Sequence, residues 1–149
     1  MITWQCCRLD ELTSTQSYRL FAVRSAVFVM EQNCVYQDMD GLDIEALHLI
    51  GWSGSEVAAC LRLLAPGTKY AEASIGRVLT AAAFRGTGIG RDMLALAVQR
   101  IDREYPSQPT RIGAQAHLQK FYGEFGFQTI SDTFLEDGIP HVEMLRLGA

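Results

Sequence analysis

The spacing of hydrophobic and polar positions changes several times along the chain, and each change marks an element. Ile2 to Arg8 reads as a short first strand. Thr13-x-x-Gln16 is a capping pattern that opens a helix, on which Tyr18, Phe21, Ser25 and Phe28 lie near one face with Arg24 at its edge. That face predicts packing on a sheet. Ala46 to Trp52 and Val57 to Leu64 are apolar runs joined by Ser53-Gly54-Ser55-Glu56, a hairpin-like connection, and Pro66-Gly67 ends the second. Ala73 to Thr80 is a third and more apolar strand. A helix with Leu94, Ala97, Val98 and Ile101 on one side runs from about Gly88 to Tyr105 and stops before Pro106. Arg111 to Ala116 then reads as a strand parallel to the previous one, because a helical crossover separates them. Leu118, Phe121, Tyr122 and Phe125 fall at i, i+3, i+4 and i+7, one face of a short helix ended by Gly126. Phe127 to Ile130 and Val142 to Leu147 complete the sheet as antiparallel strands around the loop from Glu136 to His141.

The order is strand, helix, three strands, helix, strand, helix, two strands, which predicts one mixed α/β domain over residues 1–149. Its expected form is a central mixed, mostly antiparallel sheet with one parallel strand pair and helices on both faces. Composition agrees, since 48% apolar and 20% charged residues are ordinary for a folded domain. The net charge of −4 argues against a nucleic-acid partner, because such a surface repels phosphate. No stretch reaches the length of apolar residues a membrane span needs, and the N-terminus lacks the layout of a signal peptide. Cys6, Cys7, Cys34 and Cys60 form no Cys-x-x-Cys pair, so the expected setting is a reducing cytoplasm.

Two stretches break the regular pattern. Glu31 to Glu45 is polar and acidic without a steady period, the character of a substrate-side loop. Its Asp38-x-Asp40 does not continue as a calcium loop, for Leu42, Asp43 and Leu49 fill positions where ligands or glycine are needed, so no metal is expected. The loop is either a solvated acidic surface or a field that draws in a cationic amine. The second stretch is Arg85-Gly86-Thr87-Gly88-Ile89-Gly90-Arg91, between a strand and a helix. Alternate glycines let backbone N–H groups approach a ligand where the helix N-terminus concentrates positive potential. A dinucleotide fingerprint would need glycine where Arg91 stands, and a Walker loop would need Gly-Lys-Ser/Thr.

The remaining form, Arg-x-x-Gly-x-Gly, resembles the pyrophosphate loop of the GNAT family of acetyl-CoA-dependent N-acetyltransferases. Tyr122 with Gly126-Phe127 is similar to a second family motif at the proper distance downstream. Val27 to Gln32, Tyr36 with Asp40-Gly41-Leu42-Asp43 and His48, Gly76-Arg77-Val78, and Glu136 to His141 resemble the ElaA-like branch of that family. The resemblance implies acetyl-CoA as cosubstrate. Val78, Leu79 and Thr80 would hold the pantetheine arm and Gly86, Thr87, Gly88, Ile89, Gly90 and Arg91 the diphosphate, with Arg85 at the mouth of the loop. Gln115 stands where many members place a cofactor-contacting asparagine, and Thr110 where some keep a glutamate base, so that base does not carry over.

Acetyl transfer to an amine needs a neutral amine, a polarised thioester carbonyl and a proton for the departing thiolate. The resemblance gives the last role to Tyr122, as general acid, and the second to main-chain N–H groups of Val78 to Thr80. For the base, His48, beside the acidic loop, and Glu31, at the helix end, are the candidates, with Asp137 and His141 able to approach from the C-terminal loop. Arg77, unusual in an apolar strand, pairs with one of these acids or reaches for a substrate carboxylate, and Asp40 is a further substrate-side candidate. The expected acceptor is a primary amine of a small molecule or peptide, attacked directly in a ternary complex. The alternative is a non-catalytic acyl-CoA sensor or interaction module, and a second is a nucleotide-binding module. Family members often dimerise, and the C-terminal strand is the element expected to pair across a two-fold axis.

Overall fold

The computed structural model describes residues 1–148. Strand β1, Thr3–Arg8, leads through a 3-10 turn into helix α1, Ser14–Arg24. The cap forms as its sequence pattern predicts: Thr13 Oγ1 accepts from the Gln16 N–H at 3.1 Å, and Gln16 Oε1 accepts from the Thr13 N–H at 2.9 Å. The helix does not stop at Arg24 but widens into π turns through Ser25–Glu31. Its buried face differs from the expected one. Tyr18 is 77% exposed and Ser25 lies in solvent, while Leu20, Arg24 and Val27 are buried. Apolar spacing alone places an arginine at the margin; here carboxylates that follow it in the chain draw it inside.

Strands β2, Leu47–Ser53, β3, Glu56–Leu64, and β4, Ser74–Thr80, extend β1 into an antiparallel sheet of order β1-β2-β3-β4. Strands β2 and β3 are buried almost throughout because both faces are covered. On one face Leu47, Leu49, Leu61, Leu63 and Ile75 pack with Met93, Leu94, Ala97 and Ile101 of helix α2, Ile89–Glu104. On the other, Ile50, Trp52, Cys60 and Leu79 pack with Leu20 and Val27. Among the described residues all four cysteines are free thiols, and no helix is long and apolar enough to cross a membrane.

The second half of the chain forms its own sheet. Strand β5, Thr110–Gln115, is followed by helix α3, Gln119–Gly123, and by strands β6, Gln128–Thr129, β7, Phe134–Glu136, and β8, Ile139–Arg146. The three-residue β7 is absent from the sequence reading, since all of Phe134–Glu136 is exposed and shows no alternation. Strand β8 is central: β5 pairs along one edge, β6 and β7 along the other. Among the described residues both edges of β8 are thus occupied within the chain, so the strand expected to pair across a two-fold axis presents no open edge along its paired length.

The expected parallel strand pair is reduced to one contact. Ala73 and Thr110 form a single parallel bridge, with the Arg111 N–H donating to the Ala73 carbonyl at 2.8 Å. Beyond it β4 pairs only with β3 and β5 only with β8, so the two strands part. The site opens in that gap.

Candidate active site

The cleft between the parting strands is walled by Ser74 to Val78 on one side and Ile112 to Gln115 on the other, with Leu118 and Tyr122 from the α3 region. Where β4 turns along it the register to β3 shifts between Cys60 and Arg62, and Arg77 takes a left-handed φ of 51°. A side chain in that region costs about 1–2 kcal/mol. The cost is offset where Arg77 is tied down: its Nε donates to Asp38 Oδ1 at 2.7 Å and its Nη2 to the Asp38 carbonyl at 3.0 Å.

Main-chain direction sorts the three β4 candidates. The Ala81 N–H donates to the Ala58 carbonyl of β3 at 2.8 Å, so strand alternation turns the Thr80 and Val78 amides to the opposite edge, toward the gap. Leu79 faces β3, paired with Cys60, and its side chain is buried under α1. It has no free group to offer a ligand.

After Thr80 the chain makes a 3-10 turn and enters the glycine loop. Gly86 and Gly88 adopt φ of 79° and 83°, where a Cβ would be strained, and a Cβ built on either meets nothing within 4 Å. Backbone and space are thus both open. Among the described residues no acceptor is hydrogen-bonded to the N–H groups from Gly86 through Arg91. These N–H groups lead into the start of α2, where the first donors of a helix have no intrahelical acceptor and the positive end of its dipole lies. Thr87 Oγ1 donates to the Phe84 carbonyl at 2.6 Å and braces the turn. The loop is therefore suited to a diphosphate. Its two arginines already have partners: Arg85 pairs with Glu31, and Arg91 meets Glu124 in a two-point contact of 3.0 and 2.9 Å. The second contact fastens the start of α2 to the end of α3, beside the cleft.

Tyr122 lies 6% exposed in the cleft wall, edge-on to Phe121 and Phe127. Burial pushes its phenol up to about 12. Gln115 lines the same wall and is paired with His141 of β8 across the strand ladder. His141 Nδ1 lies 2.7 Å from the Ile139 carbonyl, and a carbonyl only accepts, so Nδ1 carries the proton. The free lone pair is then on Nε2, 3.5 Å from Glu136 Oε2, and the ring stacks on Phe134. An imidazole so held can take a proton at Nε2 and have the resulting charge met by Glu136. Asp137 also lines the cleft, with a φ of 51°.

The other candidates are placed differently. His48 is 1% exposed in β2 and its Nε2–H donates to the Asp43 carbonyl at 2.8 Å. It belongs to the support beneath the acidic loop and does not line the cleft. Glu31 lies in solvent, and the hydrogen bond from Arg85 lowers its carboxyl below the ordinary range, which weakens it as a base. His48 thus lies outside the cleft lining, and Glu31 is engaged by Arg85.

The acidic loop is not a free field. Arg24 Nε meets Asp38 at 2.9 Å and its Nη1 meets Asp43 at 2.6 Å; Arg62 reaches Asp40 at 2.7 Å and Asp43 at 3.0 Å; Arg77 completes the set on Asp38. Three arginines from α1, β3 and β4 balance three aspartates of the loop. Asp40 is therefore a partner of Arg62 and, at 3.4 Å, of Arg77, not an unmatched charge awaiting a cation. Hydrogen bonding from Arg62 holds the Asp40 carboxyl far below the usual range; burial would raise that of Asp43, but Arg24 and then Arg62 hold it low. Tyr36 adds a hydrogen bond to Asp38 Oδ1 at 3.0 Å and itself lines the cleft. Arg62, Lys69 and Glu136 of the cleft wall carry no role in the sequence reading; only an arginine inside an apolar strand signals the first.

Burial lowers the pKa of His48, against the pull of its bond to Asp43. An unfolded histidine binds its proton near about pH 6.5, the folded one only at lower pH, so the unfolded state holds more protons below that value and stability falls as pH drops through it. Denaturant titrations between about pH 7.5 and 5 are expected to show this loss, and His48→Gln, which keeps a donor for Asp43, to lack part of it. An identical slope in the variant would mean that His48 titrates normally.

Comparison with known proteins bears on this geometry. The acetyltransferase (GNAT) domain family matches residues 14–147. Protein ElaA of Escherichia coli is 41% identical over 148 residues, covering 98% of this chain and 97% of its own. Its crystal structure superposes with a TM-score of 0.92, covering 98% of this chain and 99% of the other. A UPF0039 protein of Synechocystis is 43% identical over 145 residues, 97% of this chain and 94% of its own. The crystal structure of an acyl-CoA N-acyltransferase from Pseudomonas aeruginosa is 40% identical, with a TM-score of 0.93 and coverage of 98% and 99%.

Proposed function

Since this chain belongs to the GNAT acetyltransferase family, we propose that it moves the acetyl group of acetyl-CoA to a primary amine of a small molecule or peptide, by direct attack in a ternary complex. The observation that carries this reading is the run of uncommitted N–H groups from Gly86 to Arg91, opening beside a cleft into which a buried tyrosine is built. When bound, acetyl-CoA supplies the activated acyl carbon and a thiolate leaving group. The residues do the rest.

Amides of Gly86 to Arg91 hold the diphosphate, and Arg85 and Arg91 can exchange Glu31 and Glu124 for phosphate oxygens. The gap-facing amides of Val78 and Thr80 line up the pantetheine arm and polarise the carbonyl as negative charge grows on it, a form of preorganised stabilisation worth several kcal/mol. His141 Nε2 takes the proton of the attacking amine, and Glu136 then faces an imidazolium. Tyr122 hydrogen-bonds the departing sulfur. With its phenol near 12 and a thiol near about 8.5, full transfer of that proton is uphill, so its main service is a hydrogen bond that strengthens as the thiolate forms.

The test is release of free thiol from acetyl-CoA across a panel of amines, for the wild-type chain and His141→Gln. Thiol release that depends on an amine, falling at least about tenfold in the variant while acetyl-CoA still binds, supports the reading. Tight acetyl-CoA binding with no release for any amine would favour an acyl-CoA sensor instead.

A further inference from the structure

Among the ionisable side chains of the cleft, Lys69 stands apart. Three arginines and three aspartates of the adjoining network cancel, whereas Lys69 has no carboxylate within ion-pair distance among the described residues; its ammonium lies 5.6 Å from the centre of its neighbour's ring, Tyr70. Although the residue is exposed at the surface, desolvation of its ammonium lowers its pKa, and Glu136 acts on it through space without touching it. A partly desolvated cation without a counter-ion is a group that an anion relieves.

Two neighbours have donors to spare. Arg77 commits Nε and Nη2 to Asp38 and Asp40, leaving Nη1 unused, and Arg62 Nε is buried with no acceptor. All three line the cleft, which also holds Glu136, Asp137 and His141. The cavity thus presents both signs of charge in one space.

We propose that the acyl acceptor is an amine that also bears a carboxylate, an amino acid or a short peptide-like acid, with the carboxylate bound by Lys69 and the spare N–H groups of Arg77 and Arg62. Its amine is directed to His141 Nε2, with Glu136 and Asp137 attracting the positive form before the proton is lost. The inference rests on the transferase reading above and narrows its acceptor. It also accounts for an acidic loop whose charge is spent internally: that loop fixes Arg62 and Arg77 in place and leaves the substrate's anionic end to the lysine.

The experiment compares matched acceptors, an amino acid, its carboxamide and its decarboxylated amine, by thiol release from acetyl-CoA. The acid is expected to exceed both neutral analogues by at least about tenfold in kcat/KM. Lys69→Met is expected to erase most of that preference without changing acetyl-CoA affinity, and Lys69→Arg to retain it. Equal or better use of the neutral analogues, or a full preference for the acid in Lys69→Met, overturns the inference while leaving the transferase reading intact. Absence of release with every amine together with absence of acetyl-CoA binding defeats both.

Discussion

Replacing Tyr122 by phenylalanine is expected to lower turnover about a hundredfold while leaving the affinity for acetyl-CoA within about twofold, because only a hydroxyl that engages the leaving sulfur is lost. The ring keeps its edge-on contacts with Phe121 and Phe127, so the fold is not the casualty. The pH profile gives a second reading of the same group. A phenol raised to about 12 by burial stays protonated, and so competent, at every pH below that value. The wild-type turnover rate is therefore expected to show no alkaline fall from this residue up to about pH 10, even though an ordinary tyrosine titrates near there. A turnover unchanged in Tyr122→Phe would remove the hydroxyl from the mechanism.

Replacing Arg24 by methionine is expected to have the largest effect on stability. Its side chain, 2% exposed, is the shared partner of Asp38 and Asp43, whose side chains are 8% and 6% exposed. Removing it leaves two buried carboxylates short of their counter-ion, a class of change that costs about 3–5 kcal/mol. For a domain of this size each kcal/mol lowers the melting temperature by roughly 2–4 °C, so a fall of about 10 °C is the expected result. Because Asp38, one of the two, also holds Arg77 in its left-handed conformation, the cleft wall should loosen too, raising KM for the acceptor more than for acetyl-CoA. A loss under about 1 kcal/mol would place the carboxylates in water rather than in the core.

These two residues also mark what the sequence does and does not disclose. The buried place of Tyr122 is legible because helical spacing sets it on the inward face of α3, and Gly86 and Gly88 because glycine suits their left-handed backbone. The helix cap at Thr13 and Gln16 is legible for a similar reason, since its partners are three residues apart. Arg24 is not. Its inward position depends on Asp38 and Asp43, 14 and 19 residues away, and apolar periodicity points instead to Tyr18 and Phe21. The same holds for Arg62, committed to Asp40 and Asp43 across 22 and 19 residues. His48 looks like a base when read beside acidic residues, but the fold gives its one donor to a carbonyl. The parting of β4 from β5 is equally hidden, for nothing local distinguishes a parallel pair from two strands joined at one bridge.

The central claim is that main-chain amides from Gly86 to Arg91 grip the diphosphate of coenzyme A and direct its sulfur toward Tyr122. The most direct measurement is amide resonance mapping of the isotopically labelled protein during titration with coenzyme A and, separately, with pantetheine, which lacks the diphosphate. The account predicts that coenzyme A shifts the resonances of Gly86 to Arg91 strongly and that pantetheine leaves them nearly unmoved. Saturation with coenzyme A that leaves those amides in place and shifts resonances elsewhere would contradict it.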